Sequence, residues 1–597
     1  MEFDRLPDNN DLTLEKLLHG GLFSIPRYQR AYAWGKKQLG DFIEDIKAHR
    51  GFLPNEKPYF LGTFLLTERD TSHGGAHFSI VDGQQRLTTA VMYVASALRA
   101  LARQGISVDE NIARIFIGLP SCRRLTTIEE DNNFFDHHIL GDEAIVSMET
   151  PAQEKLHDAK QFFDATFAQC DAGDIERDLT TLRHARVLSY TVKNESEATQ
   201  IFEFQNDRGK RLTKLEILKS FLMHAAYLYC GNALETENVL KKIQGNFADI
   251  YRTIEDYATQ PFAPAEDSVL GDHLIAYLPH KKVGDNQDGW DHPKELIRIL
   301  LQDESRDRAD KVSLISNFSH GLLSTYRRVG QILAFRDRCE DLAGLFILGR
   351  TAPFWPLLIK CWEHDTSPEH ESFQRICALC TRLAFRSSVA HMRSDTGNSY
   401  LYNDARDFPR KMDFDRLEQR LSERGDTWWH LKTRFLQGLD DADFYHASRP
   451  ARYLLWRYEN HLRGGDGRNA QHELSWHDMI RKNGEQLQMT IDHIIPQRPS
   501  DPDEQAILNR DVTWRGAEAP LPFREACLHR LGNLVLDTRA GNAAKGCRPF
   551  NIKTDPSNPT FMKSQAELPT FAPEPGVWDE RAIEKRQQAL EEFALTL

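Results

Sequence analysis

The sequence predicts an α+β chain of several domains: a sheet-and-helix domain over residues 1–220, a helical connecting region over 221–462, and a small ββα unit with a closing helix over 463–597. Two apolar strand-like runs, a glycine turn and a long amphipathic helix point to the first domain. Apolar residues at three-to-four spacing point to helices in the middle. A short β-rich run carrying an Asp-His pair is answered about forty residues later by a second apolar run and an asparagine, which points to the last unit. The length, 597 residues, allows about four domain-sized units.

Composition narrows the class. Hydrophobic residues make up 40% and charged residues 27%, ordinary for a globular chain in water. No run of about 18 apolar residues could span a bilayer. Met1-Glu2-Phe3-Asp4-Arg5 lacks the basic-then-apolar pattern of a signal peptide, so a cytoplasmic location and no membrane partner are expected. Nine cysteines, an odd number without framework spacing, read as reduced thiols. Cys377 and Cys380 fall in a helical apolar pattern and read as buried helix residues. A net charge of −13 excludes a general polyanion binder, so contacts to DNA must come from local basic patches. Candidates are Arg208-Gly209-Lys210-Arg211, Arg382 to Arg393, and the basic residues of 524–553.

In chain order, residues 11–18 read as a short capped helix. Phe23 to Trp34 is an extended segment dense in aromatics and arginine (Arg27, Gln29 and Arg30 among them), a mix able to stack on a base and pair with phosphate. Tyr59 to Thr67 and Phe78 to Val81 read as buried strands. Asp82-Gly83-Gln84-Gln85-Arg86 follows, then a helix with an apolar stripe at Leu87, Val91, Val94, Leu98 and Leu101. Strand, glycine turn and helix N-terminus together make an anion-binding geometry: exposed N–H groups and the positive dipole end favour phosphate, Arg86 adds charge, and Asp82 is placed to hold a metal or orient a ribose or a water. No G-x-x-x-x-G-K-[ST] occurs, so any nucleotide chemistry is not of the P-loop type.

The middle reads as helices around Leu300 and Leu301, from Leu322 to Phe335, and at Leu342, Leu345 and Leu348, without a fixed-period repeat. Gly464-Gly465-Asp466-Gly467 is the clearest break before the last unit. There, Met489 to Ile495 carries Asp492-His493 on a strand whose neighbouring side chains face opposite ways, so the pair can divide its work. A neutral imidazole, with a pKa of about 6.5, suits His493 to take a proton from water. Asp492 and the Asn542 amide supply oxygen ligands of the kind a hard cation such as Mg²⁺ prefers. Leu534-Val535-Leu536 reads as the second strand, Asn542 as opening or preceding a short helix, Asn533 as a brace behind His493, and Lys545 as lying near the scissile phosphate. Together these residues resemble the two halves of an HNH nuclease site.

A wider resemblance becomes specific when the N-terminal motifs are added. Ile25-Pro26-Arg27-Tyr28-Gln29-Arg30-x-Tyr32-x-Trp34, then Val81-Asp82-Gly83-Gln84-Gln85-Arg86-Leu87-Thr88, then Phe202 to Lys219 closely resemble the N-terminal domain of GmrSD-type modification-dependent restriction enzymes, a ParB/sulfiredoxin-like fold. His529 to Leu536, the helix Arg452 to Glu459, and Trp578 with Ile583, Arg586 and Leu590 resemble the family's C-terminal nuclease. The resemblance implies an NTPase domain handling GTP, UTP, CTP or ATP through Asp82, Gly83, Gln84, Gln85 and Arg86, with Arg27, Gln29, Arg30 and Asn206 around them. It implies a Mg²⁺-dependent HNH nuclease acting on double-stranded foreign DNA with hydroxymethylated, glucosylated or otherwise modified cytosine. Two other readings stay open: a sensor-nuclease for phosphorothioate DNA, and a DNA- and nucleotide-binding regulator with a structural HNH unit. One nuclease unit per chain means that cutting both strands in one encounter needs a homodimer or successive events.

Overall fold

The computed structural model describes residues 12–50, 59–69, 76–107, 109–144, 147–192, 213–284, 286–464, 473–516, 519–555 and 562–597. The chain divides into two compact units, one running through Leu274 and resuming over His280–Gly330, the other made of Ile275–Pro279 and Gln331–Leu597. The helical middle is shared between them. Helices Lys214–Tyr229 and Ala233–Ala258 pack together in the first unit, whereas Glu340–Leu348, Glu371–Val389 and Phe414–Thr427 pack in the second.

The first unit is built on a mixed five-stranded sheet. Its strands are β1 (Leu22–Ser24), β2 (Phe60–Arg69), β3 (His77–Asp82), β4 (Leu125–Thr126) and β5 (Arg186–Val192), in the order β4-β1-β3-β2-β5. β1 runs parallel to β3 and β4, and β2 runs antiparallel to β3 and parallel to β5. Parallel neighbours need crossovers, and these supply the covering helices. Helix α1 (Gln84–Arg103) is the central one: the stripe Leu87, Val91, Val94, Leu98 and Leu101 is buried, and so are Ala90, Ala95, Ala97 and Ala100 on its flanks. Small side chains there let helix Pro151–Phe167 approach the second face of α1, where Tyr93 meets Phe163 and Phe167 at ring distances of 5.2 and 4.8 Å. α1 is thus a core helix, wrapped more fully than a single amphipathic stripe implies.

In the second unit, helix α2 (Glu371–Val389) buries Phe373, Ile376, Cys377, Cys380 and Leu383 among its neighbours. Helix α3 (Leu431–Leu439) packs on α2. Helix α4 (Ser448–Gly464) contacts both α2 and the last sheet. That sheet is the antiparallel pair β6 (Met489–His493) and β7 (Leu534–Thr538), with Asp492 opposite Val535 and His493 opposite Leu534. Helix α5 (Arg539–Lys545) follows β7, capped by Thr538, whose Oγ1 accepts from Gly541 N at 3.0 Å. The cap therefore lies four residues before Asn542, which sits inside the helix and does not open it.

The closing helix α6 (Glu580–Thr596) seals the turn that feeds β7. Fully buried Arg586 donates through Nη1 to the carbonyls of Gly532 (2.9 Å) and Leu534 (2.7 Å). Gln587 accepts from Gly532 N at 2.6 Å. Only glycine fits at 532, because a Cβ would stand 2.2 Å from the Ile583 carbonyl oxygen.

Candidate functional site

Two clusters gather the residues singled out above. In the first unit, Gly83 takes φ +96° and caps α1, a conformation open to glycine at little cost. It sets Asp82 beside Arg86, Oδ2 to Nη2 at 3.4 Å. Arg86 also donates to the carbonyls of Leu61 (3.3 Å) and Thr63 (2.8 Å) and lies over Phe64 at 5.4 Å. Burial pushes the Asp82 carboxyl above its ordinary range, opposed by Arg86 and the Gly83 amide and aided by Glu216.

The glutamines of this cluster are committed to the backbone. Gln85 accepts from Ala33 N (2.9 Å) and donates to the Ala31 carbonyl (3.0 Å); Gln84 donates to the Arg30 carbonyl (3.2 Å); Gln29 donates to the Val81 carbonyl (2.9 Å). Their amides fasten the 29–33 segment over the strand and helix ends, so direct nucleotide contact is not what they offer, apart from the buried Oε1 of Gln84, which has no hydrogen-bond partner. The arginines are paired with acids: Arg27 with Glu129 (3.3 Å) and Glu130 (2.9 Å), and Arg30 with Glu266 (3.8 Å). Asn206 and the Arg208-Lys210-Arg211 patch lie outside the described residues.

In the second unit, His493 is buried at the end of β6, its Nε2 3.0 Å from His529 Nδ1 and its ring 4.5 Å from that of Tyr445. Burial, with the nearby His529, Lys553 and His446, lowers its pKa to about 3, so the imidazole is neutral. Asp492 accepts from His493 N at Oδ1 (2.8 Å) and from Lys553 Nζ at Oδ2 (2.9 Å); the same ammonium donates to the His493 carbonyl (2.6 Å). Asn542 donates to Thr490 Oγ1 at 3.3 Å, and Thr490 shares a strand face with Asp492. Fully buried Asn533 accepts from Ile495 N (3.0 Å) and Trp578 Nε1 (3.2 Å), donates to the Leu528 carbonyl (2.8 Å), and offers its own carbonyl to Ile494 N (2.9 Å). It ties the loop after His493 to the turn before β7.

Lys545 departs from its expected place. Its Nζ is buried between Asp537 (2.9 Å) and Gln565 (2.5 Å). An ammonium held there faces the interior, because Asp537 on β7 would otherwise be a buried unpaired charge. It is not presented to a phosphate.

Two residues at this cluster carry no role at the nuclease site in the sequence reading, and Lys553, counted there in the basic patch of 524–553, is instead buried against Asp492. Lys553 lies sixty residues beyond His493, and no spacing rule joins them. His529 stands at the head of the Leu-Gly-Asn-Leu block, where a second histidine beside a catalytic-looking motif is a readable signal. Among the described residues no group of three or more His, Cys, Asp and Glu forms a metal-holding cluster.

Residues 13–223 match the family model for the N-terminal domain of GmrSD restriction endonucleases, and residues 429–593 match the model for their C-terminal domain. No curated protein matches the chain.

Proposed function

The chain belongs to the GmrSD restriction endonuclease family, and from that premise we propose that it is an NTP-dependent HNH endonuclease that cuts modified foreign DNA in defence against phage. The observation that carries the reading is the buried, neutral His493 on a strand shared with Asp492, its loop held by Asn533. A neutral imidazole has a free lone pair, so His493 takes a proton from the attacking water. The arriving phosphodiester favours the charged imidazolium and raises its basicity as the reaction proceeds.

Asp492 and Asn542 would hold Mg²⁺. One carboxylate, one amide oxygen and the substrate phosphate fit an ion that commonly keeps several waters. When bound it supplies charge for the phosphorane-like state and the leaving oxygen. Lys553 holds Asp492 in place before a cation arrives.

In the first unit we assign NTP handling to Asp82, Arg86, Arg27 and Arg30, with Gln29, Gln84 and Gln85 shaping the loop around them. The strand, the left-handed glycine and the N-terminus of a 20-residue helix support that assignment. The test is cleavage of a panel of modified phage genomes with and without NTP and Mg²⁺. Cutting should require both and spare unmodified DNA. His493→Ala should lower cutting by about 10²–10⁴-fold while NTP turnover continues. Full-rate cleavage by that variant would sink the nuclease assignment, and wild-type turnover by Asp82→Ala and Arg86→Ala would place the nucleotide elsewhere.

A further inference from the structure

His493 at the end of β6 and His529 in the turn before β7 share one hydrogen bond, His493 Nε2 to His529 Nδ1 at 3.0 Å. A neutral imidazole has one donor nitrogen and one acceptor nitrogen, so in this pair one ring gives and the other takes. Both rings are neutral near pH 7: His493 has a pKa of about 3, and burial with the nearby His446 holds His529 below the ordinary histidine value against the pull of Asp443. The other nitrogen of His493, Nδ1, makes no hydrogen bond among the described residues and keeps contact with solvent. His529 is set in place before any substrate arrives. Its carbonyl accepts from Tyr445 N at 3.0 Å, and the Tyr445 ring stacks on it at 5.6 Å and 25° while packing against His493 at 4.5 Å. The next residue, buried Arg530, donates to the Asp440 carboxylate at 3.0 Å.

The two directions of this bond leave different chemistry on Nδ1. If His529 donated, His493 would carry its proton on Nδ1, and the nitrogen in contact with solvent would have no lone pair to give. If His529 accepts, the proton sits on Nε2 and the Nδ1 lone pair is free. Only the second arrangement can take a proton from water. We propose that His529 is a positioning residue for the nuclease: its Nδ1 accepts from His493 Nε2, fixes the tautomer and ring plane of His493, and leaves Nδ1 as the basic atom. The proposal rests on the reading of His493 as the base. In the reaction the proton of the attacking water passes to Nδ1 as the water oxygen bonds phosphorus and the bond to the leaving oxygen breaks, while the Nε2 proton stays in the bond to His529. Once His493 is an imidazolium, that bond joins a cation to a neutral acceptor, and charge-assisted bonds are roughly twice as strong as neutral ones. His529 thus favours the protonated state of a base whose burial opposes it. His446 has no such bond to either ring: it stands 5.4 Å from the His529 ring, and its Nδ1 pairs with Asp443.

The test compares full-length His529→Ala, His529→Asn and His529→Asp with wild type and His493→Ala on the modified phage genome that wild type cuts, with NTP and Mg²⁺. Asparagine and aspartate each place a side-chain oxygen close to where the Nδ1 of His529 stands, and a carboxylate only accepts. His529→Ala should lower kcat by about 10–100-fold, less than His493→Ala does, with KM for DNA little changed. His529→Asn and His529→Asp should both recover most of that loss, which a side chain kept for packing alone would not show. Wild-type kcat in His529→Ala overturns the proposal, because no tautomer is then being set. So does a His529→Asp as slow as His529→Ala beside an active His529→Asn, because the bond then runs from His529 to His493. Should His529→Ala fail to fold by its urea midpoint, the other two still decide: both cutting supports the proposal, and an inert His529→Asp overturns it. If His493→Ala cuts as fast as wild type, the nuclease assignment fails and this one with it. If His493→Ala is inactive and His529→Ala is unimpaired, only the role of His529 falls.

Discussion

The two clusters carry mirror-image charge. On the N-terminal sheet the motif residues are largely cations, each answered by an acid: Arg27 by Glu129 and Glu130, Arg30 by Glu266, Arg86 by Asp82. On β6 and β7 the charged strand residues are acids, answered by lysines: Asp492 by Lys553 and Asp537 by Lys545. A ligand at either place must displace a partner, an anion at the first and a cation at the second. The difficulty differs. Arg27 is 60% exposed, and such pairs are worth about 0–1 kcal/mol. Lys553 and Lys545 are 4% and 3% exposed, and removing one member of a buried pair costs about 3–5 kcal/mol. The first cluster can yield to a ligand cheaply; at the second, among the described residues, Asp492 is ion-paired with Lys553 alone.

The contrast breaks most readily at the lysines. Lys545→Ala and Lys553→Ala should each lower stability by about 3–5 kcal/mol in urea unfolding. Only Lys553→Ala should also change the Mg²⁺ concentration needed for cutting, since it alone touches Asp492. Equal shifts in Mg²⁺ dependence from both would erase the distinction between them.

A smaller effect comes from an acid that accepts no hydrogen bond from a lysine, although Lys553 lies near enough to oppose its shift. Glu504 accepts from Phe550 N at 2.7 Å, its second oxygen has no partner, and burial raises its pKa to about 7. The folded value lies above the unfolded one of about 4.3. Its contribution is therefore complete below about pH 4.3 and lost as pH rises through 7, up to about 3 kcal/mol. Urea midpoints measured from pH 6 to 8 should fall more steeply for wild type than for Glu504→Gln; parallel slopes would show that the carboxyl ionises freely. The smallest effect belongs to the exposed pairs: Glu129→Gln with Glu130→Gln should tighten NTP binding by about fivefold at most. Weaker binding in a titration would mean that these acids help to hold the nucleotide.

Local order was legible in the sequence, and long-range partnership was not. The order of strand, glycine and helix at 78–86, and of two strands with a following helix at 489–545, is set by residues within a few positions of one another, and the fold has it. The apolar stripe of α1 was visible, but its second buried face was not, because alanines carry no period of their own. The glutamines read as ligands, since an amide that binds a phosphate and one that binds a carbonyl look alike in sequence. Lys553, Glu266 and Arg586 act across tens to hundreds of residues, and nothing in spacing announces their partners.

The closing helix has a consequence for synthesis. Both strands and both histidines leave the ribosome before Arg586 and Gln587, whose bonds pair the backbone of the turn bearing Asn533. A chain cut short before residue 586 carries every nuclease residue named here, yet its turn stays unpaired. A truncation ending before residue 586 should therefore cut plasmid no faster than background while the full chain cuts, and a nicking assay on the two proteins checks it.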